Sequence, residues 1–149
     1  MYEKIAIGFI GAILALILRE VFEWFTTRSH RKKVAALCAK HLKQIKEDLV
    51  GHVKVINGKA NFDETQYCEI VVGNFLYDLI TSNIKTFPDV NSIEKTITFF
   101  HHYKINMSTV KARLDASENN TAYLTERTYN NLLGYLQEAI DEVNSIANT

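Results

Sequence analysis

Lys95, Thr98, His102, Asn106, Thr109 and Arg113 recur at helical spacing along one stretch, "EKTITFFHHYKINMSTVKAR". Steps of three, four or seven residues return to nearly the same side of a helix, because successive residues turn by ~100°. The stripe combines bases, an imidazole, an amide and hydroxyls, with no acid among them. A solvated helix face, the competing explanation, ordinarily alternates acids and bases. A row of donors suits an anion with base-like edges: Lys and Arg meet phosphate oxygens, Asn pairs with adenine, and His or Tyr stacks on a ring. Lys95, His102, Asn106 and Arg113 are therefore the candidate ligand contacts. His101, Lys104 and Lys111 point elsewhere on the same helix and rank second.

Catalytic and metal-binding patterns are thin. The chain has no G-x-G-x-x-G, no P-loop and no G-x-S-x-G, so phosphate-cradle and nucleophile-elbow chemistry has no carrier. The E-x-x-H spacing of di-iron bundles is also absent. Cys38 and His41 stand one helical turn apart, and Cys68 with His101 or His102 could complete four zinc ligands. Without a tight second pair, a buried thiol near a histidine is the simpler reading. The sequence therefore predicts no enzyme, no metal and no cofactor. Two cysteines make no disulfide framework and read as reduced thiols.

The elements that must position the stripe follow from periodicity. Apolar positions Val34, Leu37, Cys38, Leu42, Ile45, Leu49, Val53 and Ile56 outline a first amphipathic helix, ended by the turn "NGKAN" at residues 57–61. Residues 67–84 are apolar almost all round and predict a central buried helix, with the β-branched "EIVVG" leaving a strand open. After the break "FPDVNS", residues 92–114 put Ile93, Ile97, Phe100, Tyr103, Met107, Val110 and Leu114 on one face. After the loop "DASENNT", residues 122–146 do the same with Tyr129, Leu132, Leu133, Leu136, Ile140 and Val143. Four helices on short loops predict an all-α four-helix bundle.

The amino-terminal segment carries a different signal. Residues 5–18 form 14 positions without a charge, about 21 Å as a helix. Extended to Phe25 the run reaches 21 residues and about 31 Å, enough for the ~30 Å hydrocarbon core. Tyr2, Trp24 and Phe25 then fall where aromatic rings prefer the interface. Lys4 precedes the run, while Arg28, Arg31, Lys32 and Lys33 follow it. These four predict contact with lipid headgroups, and the positive-inside rule puts the amino terminus outside and the domain in the cytoplasm. The expected organisation is a single-pass transmembrane segment over residues 1–27 and a cytoplasmic ligand-binding domain over residues 28–149. Zero net charge hides this polarity: residues 1–59 carry 11 Lys/Arg against 5 Asp/Glu, and residues 60–149 carry 6 against 12.

Gly8, Gly11, Ala12, Ala15, Arg19 and Glu23 share one face of the segment. Small residues allow helices to approach closely in lipid, and ionisable groups in a membrane face a bundle interior or water. That face predicts self-association or a pore. The competing reading has Arg19 snorkelling to the headgroups while Glu20 and Glu23 are already wet.

A membrane segment ("IAIGFIGAILALILREVFEWF"), a basic flank ("RSHRKK") and a helical domain bearing the donor stripe resemble, in layout, the small membrane effectors of type III CRISPR antiphage defence that respond to cyclic tetra-adenylate. No diagnostic motif carries the resemblance, so no residue role transfers by position. It implies a cyclic oligoadenylate ligand, a homo-oligomer such as a tetramer, no DNA or long RNA, an inner-membrane location, and membrane disruption as the outcome. A membrane-tethered scaffold that recruits a protein partner is the alternative.

Overall fold

The computed structural model describes the backbone of residues 2–63 and 90–149, and the side chains of residues 16–63 and 92–149. Helix α1 (Tyr2–His52) runs unbroken for 51 residues, about 76 Å. Neither proline nor glycine lies between Ala12 and Val50 to kink it. Its carboxy-terminal half buries Val34, Cys38, Leu42, Ile45 and Leu49 at steps of three and four, the stripe of an amphipathic helix.

Past His52 the β-branched pair Val55–Ile56 favours extended backbone, and the chain turns into a hairpin. Strand β1 (Lys54–Ile56) pairs antiparallel with β2 (Lys59–Asp63), with Ile56 opposite Lys59. The two-residue loop needs positive φ at both positions to match the strand twist. Asn57 (φ 51°) and Gly58 (φ 74°), residue types that tolerate it, supply both.

A short 3₁₀ turn (Val90–Ile93) leads into α2 (Glu94–Asp115), followed by β3 (Thr121–Thr125) and α3 (Glu126–Asn148). Strand β3 pairs antiparallel with β2, giving the order β1-β2-β3. Register places Ala60 opposite Leu124 and Phe62 opposite Ala122. All four are buried, so this face of the sheet closes the core built by α1, α2 and α3. Phe99, Phe100, Tyr103, Met107 and Val110 come from α2, and Tyr129, Leu132, Leu136, Ile140 and Val143 from α3.

Neighbouring elements satisfy the helix ends, which leave backbone groups unpaired. The Tyr129 hydroxyl donates to Leu49 O at 3.0 Å, in the last turn of α1. The Glu126 amide that opens α3 donates to Gly58 O at 2.9 Å, and Thr125 Oγ1 caps the same helix by accepting from Thr128 N at 3.2 Å. Helix α2 has no side-chain cap of its own. Glu142 of α3 replaces it, accepting from Lys95 N at 3.0 Å, Thr96 N at 2.7 Å and Thr96 Oγ1 at 2.6 Å. A carboxylate there also faces the positive end of the helix dipole.

The expected architecture is corrected on two counts. The described chain is not all-α: three helices pack with a three-stranded antiparallel sheet. The turn at residues 57–61 reverses a hairpin instead of ending a helix, and residues 121–125 are a strand where the last helix was expected to begin. Second, among the described residues no helix is long and apolar enough to cross a membrane, against the expected single transmembrane helix. The side chains of residues 1–15, which carry most of the expected span, lie outside the described residues. So does the central helix expected over residues 67–84.

Candidate functional site

The predicted stripe lies on α2 but does not form one pocket. Lys95 and Arg113 stand at opposite ends of the helix, about 27 Å apart. At the amino-terminal end the row leans on α3. Lys95 Nζ pairs with Glu138 Oε2 at 3.6 Å, both side chains more than half exposed, a geometry that contributes little to stability. His102 stacks on Tyr135, ring centroids 4.3 Å apart and planes within 8°. Asn106 is half-buried. The acids opposite this end, Glu138 and Glu142, counter the anion-binding character read from the stripe alone.

The carboxy-terminal end is different. A groove of about 860 Å³ runs along one face of α2, its described lining drawn from that helix and its cap: His101, Lys104, Ile105, Ser108, Thr109, Ala112, Arg113 and Ala116. Its lining brings Arg113 together with two of the second-ranked bases, and no acid is among these residues. The Arg113 guanidinium donates to Tyr123 O and lies 5.2 Å from the centroid of the Tyr123 ring. Lys59 Nζ lies 4.4 Å from the same centroid. Of the four predicted contacts, Arg113 joins the groove, whereas Lys95, His102 and Asn106 lie outside its lining.

The basic flank after the apolar run divides. Arg28 turns back to the domain, donating to Thr149 O at 2.8 Å and lying 5.2 Å from the Trp24 ring. Arg31 is half-buried, and its Nε makes no hydrogen bond among the described residues. Lys32 is half-buried and Lys33 exposed. Deeper along α1, Lys46 meets the acidic side of α3 through Gln137, Nζ to Oε1 2.6 Å, and Gln137 in turn donates to Asp141 at 2.9 Å.

Higher on α1, Arg19 Nε donates to Glu23 Oε1 at 2.9 Å, an i, i+4 pair. Both side chains are exposed, as are Leu16, Ile17, Leu18, Val21, Phe22, Trp24 and Phe25. Gly8, Gly11, Ala12 and Ala15, the small residues of the same face, have side chains outside the described residues.

Burial pushes the Cys38 thiol up to about 11, so it stays protonated and unreactive at neutral pH. Among the described residues no three His, Cys, Asp or Glu side chains gather where they could hold a metal. Cys68, the other cysteine considered for zinc, lies outside the described residues.

Sequence reasoning missed Tyr123 and Lys59. Both sit on strands read as helix or turn, and the signal for them was present in the Asn57–Gly58 pair and in the alternation of "TAYLT". Comparison with protein-family models, with curated proteins and with solved structures found no match.

Proposed function

We propose that this chain is a signal-gated membrane effector. The basic end of α2 receives an anionic nucleotide ligand, with cyclic tetra-adenylate as first candidate on the resemblance in layout. The exposed apolar end of α1 seats in the lipid of the inner membrane. Ligand binding in a homo-oligomer repacks the helices, and the membrane becomes leaky. The observation that carries the reading is the continuity of α1. One helix without a break joins the buried residues Val34 to Leu49 to the exposed apolar residues Leu16 to Phe25. A displacement of the domain is thereby delivered to the lipid side by a rigid element. Such coupling requires only that the ligand bind two arrangements unequally.

A second reading, a membrane-tethered scaffold, is favoured by a separate observation. Lys95, His102 and Arg113 already have partners inside the fold, which suits a rigid surface for a protein partner.

Full-length protein reconstituted into phosphatidylethanolamine–phosphatidylglycerol vesicles containing a self-quenched dye separates the two. The effector reading predicts dye release on adding cyclic tetra-adenylate, reduced by the Arg19→Leu, Glu23→Leu double variant. It also predicts a thermal shift, since a ligand at 100 times its Kd stabilises by about 2.7 kcal/mol. Neither release nor shift with any cyclic di-, tri-, tetra- or hexanucleotide contradicts it. Retention of cellular function after exchange of residues 1–27 for an unrelated anchor supports the scaffold.

A further inference from the structure

The outer face of the sheet holds a group of side chains that the α2 stripe did not include. Directly opposed residues on antiparallel strands share a face, so register aligns Lys54, Asn61 and Tyr123 in one row across the three strands. The next row is Ile56, Lys59 and Thr125. Tyr123 is 39% exposed although it lies within a strand whose alternate residues are buried. Lys59 Nζ and Arg113 Cζ lie 4.4 and 5.2 Å from its ring centroid. Arg113 is fixed by its bond to Tyr123 O, whereas Lys59 makes no ion pair among the described residues. Asp63, opposite Thr121, is the acid of this face and lies at its far end.

We infer that this face is a nucleobase-stacking site, with Tyr123 as the platform and Lys54, Lys59 and Arg113 as the cations for the neighbouring phosphates. An exposed aromatic ring on a sheet, bordered by bases, is what single nucleotides and unpaired strands need. Every base has a π-face to stack, and the backbone needs positive charge beside it. A base displaces the Lys59 ammonium from the ring, and the freed ammonium meets the phosphate that follows. Arg113 stands on both this face and the α2 groove, so an oligonucleotide longer than one unit continues from the sheet along α2. The inference deepens the proposed function and rests on its nucleotide ligand. The same chemistry is offered by a cyclic oligoadenylate and by a linear one.

Fluorescence anisotropy on the full chain in detergent tests it, using a labelled linear tetra-adenylate and unlabelled cyclic tetra-adenylate as competitor. The expected result is binding that weakens about tenfold or more in Tyr123→Ala, the loss of one stacked base, and changes less than about twofold in Tyr123→Phe, which keeps the π-face. Lys59→Gln lowers the salt dependence of log K by about one unit, as loss of one phosphate contact does. Unchanged circular dichroism melting assures that the variants are folded. The tighter of the two probes identifies the source of the ligand. Binding by the wild type that neither Tyr123→Ala nor Lys59→Gln alters overturns the sheet site and leaves the nucleotide reading standing. Absence of binding by either probe to the wild type overturns both.

Discussion

Leu18 and Leu42 stand on the same unbroken helix, yet one is 67% exposed and the other fully buried. The contrast extends to their neighbours. Around Leu42 the apolar residues form a stripe, with Lys40, Lys43 and Glu47 exposed beside it. Among the described elements the stripe is covered by α3. Around Leu18 the large apolar residues are exposed, with Arg19, Glu20 and Glu23 gathered on one side of the helix. An amphipathic stripe finds its partner within the chain, whereas the large apolar residues from Leu16 to Phe25 stay exposed among the described residues. A contiguous exposed patch of this kind marks an interaction with a membrane or another protein.

The two halves of α1 differ most in energy at the buried leucine. Leu42→Ala removes a fully buried side chain and is expected to cost about 2–5 kcal/mol, read from the urea midpoint of the full chain in detergent. An equal loss in Leu18→Ala would erase the distinction between the two halves.

The next test uses pH. Burial raises the Cys38 thiol from 9.0 to about 11. Its neutral form is favoured in the folded state, so the unfolded chain gives up this proton first. The stabilisation is complete below pH 9 and falls as pH rises to 11, by about 2–3 kcal/mol. Wild type minus Cys38→Ala, compared at pH 8 and pH 11, isolates that slope. Equal slopes would mean that water reaches the lower half of α1.

A smaller effect sharpens the comparison at the wall against which α1 packs. Glu142→Ala removes three hydrogen bonds to the start of α2 and is expected to cost about 2 kcal/mol. Glu142→Gln, which retains an acceptor, is expected to recover part of it. The smallest expected effect is that of Leu18→Ala itself, within about 0.5 kcal/mol of the wild type, because its side chain is exposed in the folded state.

The helices were largely legible because their cores repeat at three and four residues. Val34, Cys38, Leu42, Ile45 and Leu49 on α1, and Tyr103, Met107 and Val110 on α2, are buried as the pattern requires. The pattern erred at Leu37, which is 43% exposed because Ala35 and Ala39 occupy the facing positions. The sheet was legible only in part: Asn57–Gly58 and the alternation of "TAYLT" are signals for it, but weak ones. Strands of three and five residues leave too short a period to tell from a helix, and Ala122 and Leu124 fit either. Their alternation acquires meaning only through β2, which lies far away in sequence. The same blindness hid the pairing of Lys59 and Arg113 around Tyr123. The stripe on α2 was legible as a row of residue types, but spacing alone could not show that Glu138, Glu142 and Tyr135 stand opposite its first half.

The proposed function seats the exposed apolar residues Leu16 to Phe25 of α1 in lipid, and the chain contains one reporter of their surroundings. Trp24 is the single tryptophan and is 55% exposed beside Phe25 and Arg28. Its fluorescence in the full chain, reconstituted in vesicles with and without brominated acyl chains, reads its surroundings directly. Seating in lipid predicts blue-shifted emission that brominated lipid quenches strongly and aqueous iodide quenches weakly. Emission at the wavelength of water-exposed tryptophan, quenched by iodide and indifferent to bromine, would contradict it.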